Sequence, residues 1–189
     1  MKRSFKPGTM IYPLPVVMVS CGDIDGKYNI MTAAWTGTLC SEPPICYVSI
    51  RKERFSYNII KESGEFVINL TTEKLARATD WCGVKSGRDC NKFHDMGLTP
   101  ERGQVVKAPL IAESPLNIEC KVIKTEDLGS HTVFVAEVVA VDADEKYFDK
   151  GTDAFQLNHS GLIAYSHGKY YTLGKQLGGF GFSVKKSVK

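Results

Sequence analysis

The sequence lacks the features that mark several large classes of protein. No stretch approaches the roughly 20 consecutive apolar residues that a membrane span requires. The polar start is followed by prolines at positions 7, 13 and 15, which leaves no room for the apolar core of a signal peptide. We therefore expect a cytoplasmic protein that makes no use of a membrane.

Charge of one sign is also scarce, because 24 basic residues face 21 acidic ones and leave a net charge of +3. The dense basic clusters are short: residues 2–3, 51–54 and the tail 185–189. The tail has no interleaved aromatic residues, so we expect no nucleic-acid partner. The motifs of P-loops, zinc proteases, nucleophile elbows and glycine-rich dinucleotide folds are absent as well. Nothing local therefore nominates a catalytic residue.

Cysteine is plentiful, but none of the six residues forms a Cys-x-x-Cys pair. In a reducing compartment, most of them are expected to be small buried hydrophobic residues. Cys82, Cys90 and His94 have a spacing that fits no familiar metal site, so we expect no metal. A redox role for the cysteines stays open.

Most of the chain has the hydrophobic patterns of β-strands. They predict strands at residues 16–21, 28–34, 45–50, 65–70, 116–123, 132–141, 162–165 and 170–172. Apolar and polar residues alternate in 116–123, so we expect one buried and one exposed face. Residues 132–141 are nearly all apolar, which predicts a long central strand covered on both faces.

Helices are predicted at only two places, residues 54–61 and 73–81, and Ser63-Gly64 would end the first. Strands and helices do not alternate regularly, which disfavours a doubly wound sheet. We expect a mainly β protein with peripheral helices, in which an antiparallel sheet closes or nearly closes into a barrel. Without a linker or an internal repeat, residues 1–189 are expected to form a single domain.

Three segments carry side chains suited to a ligand. Residues 29–38 combine small residues with Trp35, so a planar ligand can lie against the backbone, although tight core packing explains the same run. In residues 49–58, Arg51 and Lys52 separate a strand from a helix that begins with Ser56. This is typical of a phosphate site, and equally of a solvated basic turn. Residues 82–93 form a polar loop that would close over a phosphate or a ring, or simply cover the surface.

The ordered combination of these segments resembles the flavin-reductase-like family, whose members include the flavoredoxins. The matching pieces are residues 29–35, 44–51, 55–57, 62–70, 86–93, 129–138 and 173–182, and the likeness runs from about residue 13 to 184. The resemblance implies an FMN-binding split β-barrel of the antiparallel Greek-key type. It further implies that FMN is held non-covalently, usually at the interface of a homodimer.

The resemblance also assigns roles to individual residues. The set expected to line the isoalloxazine ring and ribityl chain is Asn29, Met31, Thr32, Ala33, Ala34 and Trp35. The set expected to receive the phosphate is Ser49, Arg51, Lys52 and Ser56, with Lys92 beside them. His131 would lie near the flavin or the partner's site, the alternative being a surface histidine, and Tyr165 would lie near the flavin. Residues from about 173 to 189 would pack on the partner subunit.

Since hydride and electron chemistry belongs to the flavin, the chain need supply no acid, base or nucleophile. The resemblance implies an FMN-dependent oxidoreductase or electron-transfer protein, either a flavin reductase or a flavoredoxin-like carrier. Its electrons would come from NAD(P)H or from a redox protein. The alternatives are a flavin-binding or storage module without turnover, and a split barrel related to haem or pyridoxamine-phosphate proteins.

Overall fold

A computed structural model describes residues 1–184, so the basic tail 185–189 lies outside the described residues. The strands are β1 (Leu14–Pro15), β2 (Val17–Gly22), β3 (Tyr28–Ala33), β4 (Thr36–Cys40), β5 (Ile45–Arg51), β6 (Glu65–Leu70), β7 (Pro100–Glu101), β8 (Leu110–Ile111), β9 (Leu116–Asp127), β10 (His131–Ala143), β11 (Ile163–Ser166) and β12 (Lys169–Thr172). The helices are α1 (Phe55–Ser63), α2 (Ala76–Val84) and α3 (Lys92–Met96). Short 3-10 turns lie at Glu73–Leu75, Glu145–Tyr147, Leu157–Ser160 and Phe182–Val184.

Seven strands form one antiparallel sheet in the order β3-β2-β6-β9-β10-β5-β4. Its two edge strands, β3 and β4, follow each other in the chain, so residues 34 and 35 join one edge of the sheet to the other. At this connection, the N–H of Ser49 in β5 donates to the carbonyl of Trp35 at 2.8 Å. The sheet therefore curls into a barrel that is split between β3 and β5, and the predicted mainly β antiparallel fold is confirmed.

The barrel interior holds the main core, which includes the fully buried Phe66, Phe134, Val19 and Val48. Helix α1 contributes Ile60 to this core and ends at Gly64, whose φ of 69° lies in the left-handed region that glycine adopts readily. The predicted helix end is therefore confirmed. Helices α2 and α3 pack on the other side of β2 and β3, around the buried Met18.

The prediction of an exposed face on strand β9 is confirmed at Lys121 and Ile123 but wrong for the first half of the strand. Asn117 and Glu119 are both buried, and Glu119 is not exposed at all. The chain at residues 104–106 crosses this face and donates three backbone N–H groups to the Glu119 carboxylate, at 2.7–2.8 Å. These donors lower the pKa of Glu119 although burial opposes its ionisation. Glu119 therefore binds the crossing segment instead of water.

Strand β10 lies centrally in the sheet, as predicted, but its two faces are covered to different extents. Thr132, Phe134 and Ala136 point into the core, whereas Val133 and Val135 are only partly buried. The prediction that both faces are covered is therefore correct only in part, because Val139 packs against the cluster of Val106, Ala108 and Leu110 whereas the outer face around Val133 and Val135 stays partly open.

Other differences from the sequence prediction are smaller. The second helix begins as the 3-10 turn Glu73–Leu75 and continues as α2 to Val84, three residues past the expected end. Strand β4 and helix α3 were not predicted. The predicted hairpin β11–β12 is present, but it pairs with β1 in a separate three-stranded sheet. Among the described helices, none has the length and apolar character needed to cross a membrane.

Candidate functional site

Two adjoining cavities lie where the barrel is split. The first, of about 320 Å³, is bounded by the end of β3, the end of β5, helix α2 and the β11–β12 hairpin, and we name it the inner lobe. The second, of about 350 Å³, lies between the start of α1 and the loop 85–91, and we name it the cationic lobe. Met31, Arg51, Arg54 and Val84 line both lobes. The two lobes therefore form one elongated site.

Twelve of the thirteen residues predicted for the site line these lobes. The inner lobe contains Met31, Thr32, Ala33, Ala34, Trp35, Ser49, Arg51, His131 and Tyr165. The cationic lobe contains Asn29, Ser56 and Lys92, together with Met31 and Arg51. Lys52 lines neither lobe, because its ammonium group forms an exposed ion pair with Asp127 at the tip of the β9–β10 hairpin. The structure thus brings all of them together except Lys52.

One wall of the inner lobe is the edge strand β3 and the two residues that follow it. Small side chains at Ala33 and Ala34 leave the backbone open to a flat ligand, and an edge strand has N–H and C=O groups outside the ladder. Trp35 is 44% exposed at the rim, and its ring lies 5.6 Å from that of His131. The lobe therefore offers a flat, partly aromatic surface with free backbone groups.

The opposite wall comes from the small sheet and from helix α2. The Tyr170 hydroxyl donates to Asp80 Oδ1 at 3.0 Å, and the Tyr165 ring lies 5.6 Å from the Tyr170 ring. Burial and the Asp80 carboxylate raise the pKa of Tyr170, so this phenol stays protonated and keeps donating. The bond fastens the β11–β12 hairpin to α2 and so fixes this wall.

The cationic lobe surrounds a buried lysine. Lys92 is only 4% exposed, and its ammonium group donates to the Cys82 carbonyl at 2.7 Å. Burial lowers its pKa, because it disfavours the charged form of the ammonium group. Arg51, Arg54 and Arg88 line the same lobe, and Glu53 is its one lining acid among the described residues. The lobe thus has a strong excess of positive charge.

The floor of the cationic lobe joins three segments that are distant in sequence. Asn29 of β3 donates to the Ser56 hydroxyl in the first turn of α1, at 2.8 Å. Gly87 of the loop lies so close that a Cβ atom there would be 2.2 Å from Asn29 Oδ1 and 2.7 Å from the Phe55 ring. Only glycine fits this contact. The loop 85–91 is therefore seated directly on the junction between β3 and α1.

Several lining residues were missed by sequence reasoning. Arg54 donates to the Gly83 carbonyl at 2.8 Å, and Arg88 donates to the Glu53 carbonyl at 3.3 Å. Both lie in segments predicted from the sequence to bind a ligand, so their positive charge could have identified them as candidate phosphate ligands. Asp80 and Tyr170 had no local signal, because they meet across 90 positions of the chain.

The site matches a ligand with a flat head and an anionic end. The inner lobe suits a planar ring, and the excess of cations in the adjoining lobe suits a negative charge. In the described part of the chain, no group of three or more His, Cys, Asp or Glu residues is placed to hold a metal ion. A split barrel with such a two-part site defines a flavin-binding protein of the oxidoreductase and electron-transfer class.

Comparison with known proteins gives the family. Residues 9–174 match the flavin reductase like domain, so the chain belongs to this family, as the sequence resemblance predicted. The structure resembles flavoredoxin of Desulfovibrio vulgaris (Miyazaki F), with a TM-score of 0.88, 35% identity, and coverage of 98% of this chain and 100% of that one. Flavoredoxin from Methanosarcina acetivorans gives a TM-score of 0.86 at 27% identity, again covering 98% and 100%.

A sequence relative adds a named activity. The ferric-chelate reductase (NAD(P)H) of Archaeoglobus fulgidus is 32% identical over 107 residues, which cover 56% of this chain and 61% of that protein.

Proposed function

We propose that the chain binds FMN non-covalently and transfers electrons through it, with the isoalloxazine ring in the inner lobe and the phosphate in the cationic lobe. The observation that carries this proposal is the burial of Lys92 in a lobe lined by three arginines. Removing a charged group from water costs several kcal/mol unless a partner compensates it. A phosphate supplies that partner, since it accepts charge-assisted hydrogen bonds from several donors at once.

The roles of the residues follow from their positions. Arg51, Ser56 and Lys92 bind the phosphate, and the lining of the cationic lobe adds Arg54 and Arg88 to this set. The remaining residues proposed to contact the ring and the ribityl chain are Asn29, Met31, Thr32, Ala33, Ala34, Trp35, Ser49, His131 and Tyr165. Lys52 is left out of this set because its side chain lines neither lobe and pairs with Asp127.

Bound FMN supplies the hydride and electron chemistry, and the chain supplies position and electrostatics. Arg51 lines both lobes, so it stabilises negative charge at the phosphate and at the neighbouring ring. Trp35 and His131 form the wall of the inner lobe on one side of the ring, and Tyr170, held by Asp80, forms the wall on the other side. No proton transfer by a side chain is required.

We further propose that electrons enter from NAD(P)H or from a redox protein. The rim of the inner lobe is open, since Trp35 is 44% and Val84 73% exposed, and a second planar molecule can reach the ring there. Two relatives support these two kinds of donor by name: the ferric-chelate reductase (NAD(P)H), and a high molecular weight rubredoxin of Moorella thermoacetica that is 27% identical.

The chain is proposed to work as a homodimer. The outer face of β5 and β10 exposes Tyr47, Val133 and Val135, all only partly buried, in directly paired strands. Residues 173–184 add large exposed side chains, with Leu177 90% and Phe180 108% exposed. Burying such surfaces against a second copy is favourable. A mass of two chains in light scattering supports this arrangement, and a single-chain mass contradicts it.

The same proposal covers domain organisation and location. All residues, 1–189, act as one domain. All six cysteines are free thiols, which fits a reducing compartment and hence the cytoplasm.

The test begins with purified protein. The released cofactor is identified by chromatography, and the apoprotein is titrated with FMN and with riboflavin, which lacks the phosphate. We expect the Lys92→Met variant to lose at least about tenfold in FMN affinity, since a hydrogen bond to a charged group contributes about 1.5–3 kcal/mol. Riboflavin affinity should not change. Lys61→Met, at an exposed position of α1, is the control. A protein that binds no flavin overturns the proposal.

A second measurement distinguishes turnover from storage. The FMN-loaded protein is mixed anaerobically with NADH, NADPH or a reduced redox protein, and the flavin absorbance is followed. Bleaching by a nicotinamide supports a reductase, and bleaching by the redox protein alone supports a carrier. No bleaching within seconds by any donor contradicts electron transfer and favours a storage module.

A further inference from the structure

The inner lobe carries one negative group, and the fold uses only part of it. Asp80 is the one acid that lines this lobe in the described part of the chain. Its Oδ1 atom accepts the Tyr170 hydroxyl at 3.0 Å, whereas Oδ2 accepts no hydrogen bond from residues 1–184. Asp80 is exposed, and within those residues it forms no salt bridge. A negative charge is therefore available to a ligand at this wall.

Two tyrosine rings lie beside this charge. Tyr165 and Tyr170 both line the inner lobe, with their ring centroids 5.6 Å apart and an angle of 61° between the ring planes. The face of an aromatic ring attracts a cation, and this attraction grows where water is excluded. Because the two rings and the Asp80 carboxylate share one wall, this wall favours a positively charged ligand over a neutral one of the same shape.

The positive groups of the inner lobe lie toward the cationic lobe. Arg51 ends β5 and pairs with His131 of β10, and Arg54 donates to the Gly83 carbonyl at 2.8 Å. Both arginines line the two lobes, whereas Asp80 lines the inner lobe alone. The inner lobe therefore has a cationic side, continuous with the cationic lobe, and a separate anionic wall. Two bound molecules that acquire opposite charges fit this arrangement.

We propose that Asp80, together with Tyr165 and Tyr170, determines specificity for a nicotinamide donor by favouring its oxidised, positively charged ring. The inference rests on the proposed function, which places a flavin in the inner lobe. In the reaction, the C–H bond opposite the ring nitrogen of the dihydronicotinamide breaks, and a hydride, one proton with two electrons, forms an N–H bond on the oxidised flavin. The nicotinamide becomes positive and the flavin gains a negative charge. Asp80 stabilises the first charge and Arg51 the second.

Asp80→Asn gives the sharpest test, because the amide keeps an acceptor for Tyr170 and removes only the charge. The FMN-loaded protein is titrated by calorimetry with NAD⁺, NADP⁺ and their unreactive tetrahydro analogues, whose rings are uncharged. We expect the variant to lose about fivefold to tenfold in affinity for the oxidised form that binds more tightly, as for one partly screened charge, and less than about twofold for its analogue. FMN affinity should change by less than about twofold, since the Tyr170 bond is kept.

Two further variants complete the binding experiment. Asp80→Glu returns the negative charge and should restore most of the preference for the oxidised nucleotide. Asp153→Asn is the matched control, because this exposed aspartate lines neither lobe. In rapid mixing of the FMN-loaded protein with saturating NADH or NADPH, Asp80→Asn should bleach the flavin about fivefold to tenfold more slowly, since the charge that it stabilises develops during hydride transfer.

The outcomes separate this inference from the proposed function. Equal losses for the charged and uncharged rings indicate that Asp80 only positions the wall, and they overturn the inference. Unchanged affinity for both rings in Asp80→Asn overturns it as well. If no nicotinamide nucleotide binds the unaltered protein, the inference is also wrong, but FMN still binds and a redox protein remains as the donor, so the proposed function stands. Failure of the unaltered protein to bind FMN overturns the proposed function itself.

Discussion

Asn29 and Ser56 meet at 2.8 Å on the floor of the cationic lobe, where the amide of β3 donates to a hydroxyl in the first turn of α1. Both residues are buried. The bond joins the small-residue strand to the cationic corner, two segments that the sequence suggested separately as ring and phosphate sites. Their contact fixes the distance between the two lobes, in which the ring and the phosphate are proposed to lie.

The neighbouring cations Arg51 and Lys52 should behave differently. Arg51→Ala is expected to lower FMN affinity by about tenfold, because it removes a charge-assisted contact from the lobe. Lys52→Ala should change it by less than about twofold, since an exposed ion pair contributes little. Flavin fluorescence titration measures both. An equal loss in the two variants contradicts the separation of their side chains seen here.

Trp35 should report flavin binding. The chain has two tryptophans, and Trp35 lines the inner lobe whereas Trp81 does not. FMN binding is expected to quench tryptophan emission through contact with Trp35, and Trp35→Phe should remove most of this quenching. Trp81→Phe, the control, should retain it. Quenching that persists in Trp35→Phe and vanishes in Trp81→Phe places the ring elsewhere.

The bond from Tyr170 to Asp80 should position the wall of the inner lobe. Tyr170→Phe removes the donor, and the β11–β12 hairpin is then held less firmly to α2. We expect FMN and riboflavin to lose affinity by the same factor, about threefold to tenfold, as for one lost hydrogen bond. Tyr171→Phe is the control, because Tyr171 is 51% exposed and lines neither lobe. A loss confined to FMN contradicts this role, since Tyr170 lies away from the cationic lobe.

Stability should depend on pH through Asp142. Its Oδ1 atom accepts from Gln104 at 2.7 Å, while Oδ2 is buried without a partner in the described structure. Burial and the nearby Glu119 carboxylate raise the pKa of Asp142. The folded state then binds a proton that the unfolded chain releases, so the contribution of this group to stability falls as pH rises from about 4 through the raised pKa.

Asp142→Asn should remove this dependence, because the amide keeps an acceptor for Gln104 and adds a permanent donor toward Glu119. Urea unfolding at pH 7 is expected to show a gain of about 1 kcal/mol. The gain should shrink toward pH 4, where Asp142 itself becomes protonated. The same gain at every pH, or a loss at pH 7, contradicts the assignment.

How much of the site could be predicted differs from residue to residue. Residues 29–35 and Arg51 could be predicted as site residues because their side-chain types are unusual and lie in continuous segments. Lys52 was indistinguishable from Arg51 by sequence, but β5 ends at Arg51 and Lys52 lies in the following turn, where it pairs with Asp127. The pairing of Asp80 with Tyr170 could not be predicted, since it depends on how a separate small sheet packs against α2. The burial of Glu119 could not be predicted for a similar reason, since it depends on an irregular segment, residues 104–106, that crosses the strand.

Local features of the sequence were enough to predict the strand-rich architecture, the main helix and its end at Gly64, the family, and the segments that carry the site. These depend on local periodicity, turn residues and an ordered series of motifs, all of which can be read along the chain. The folded chain was needed to see that the barrel splits beside Trp35, that Lys92 is buried among arginines, and that Asp80 meets Tyr170 in the wall of the inner lobe. Burial and charge compensation arise from groups far apart in sequence, and only the folded chain brings them within reach of one another.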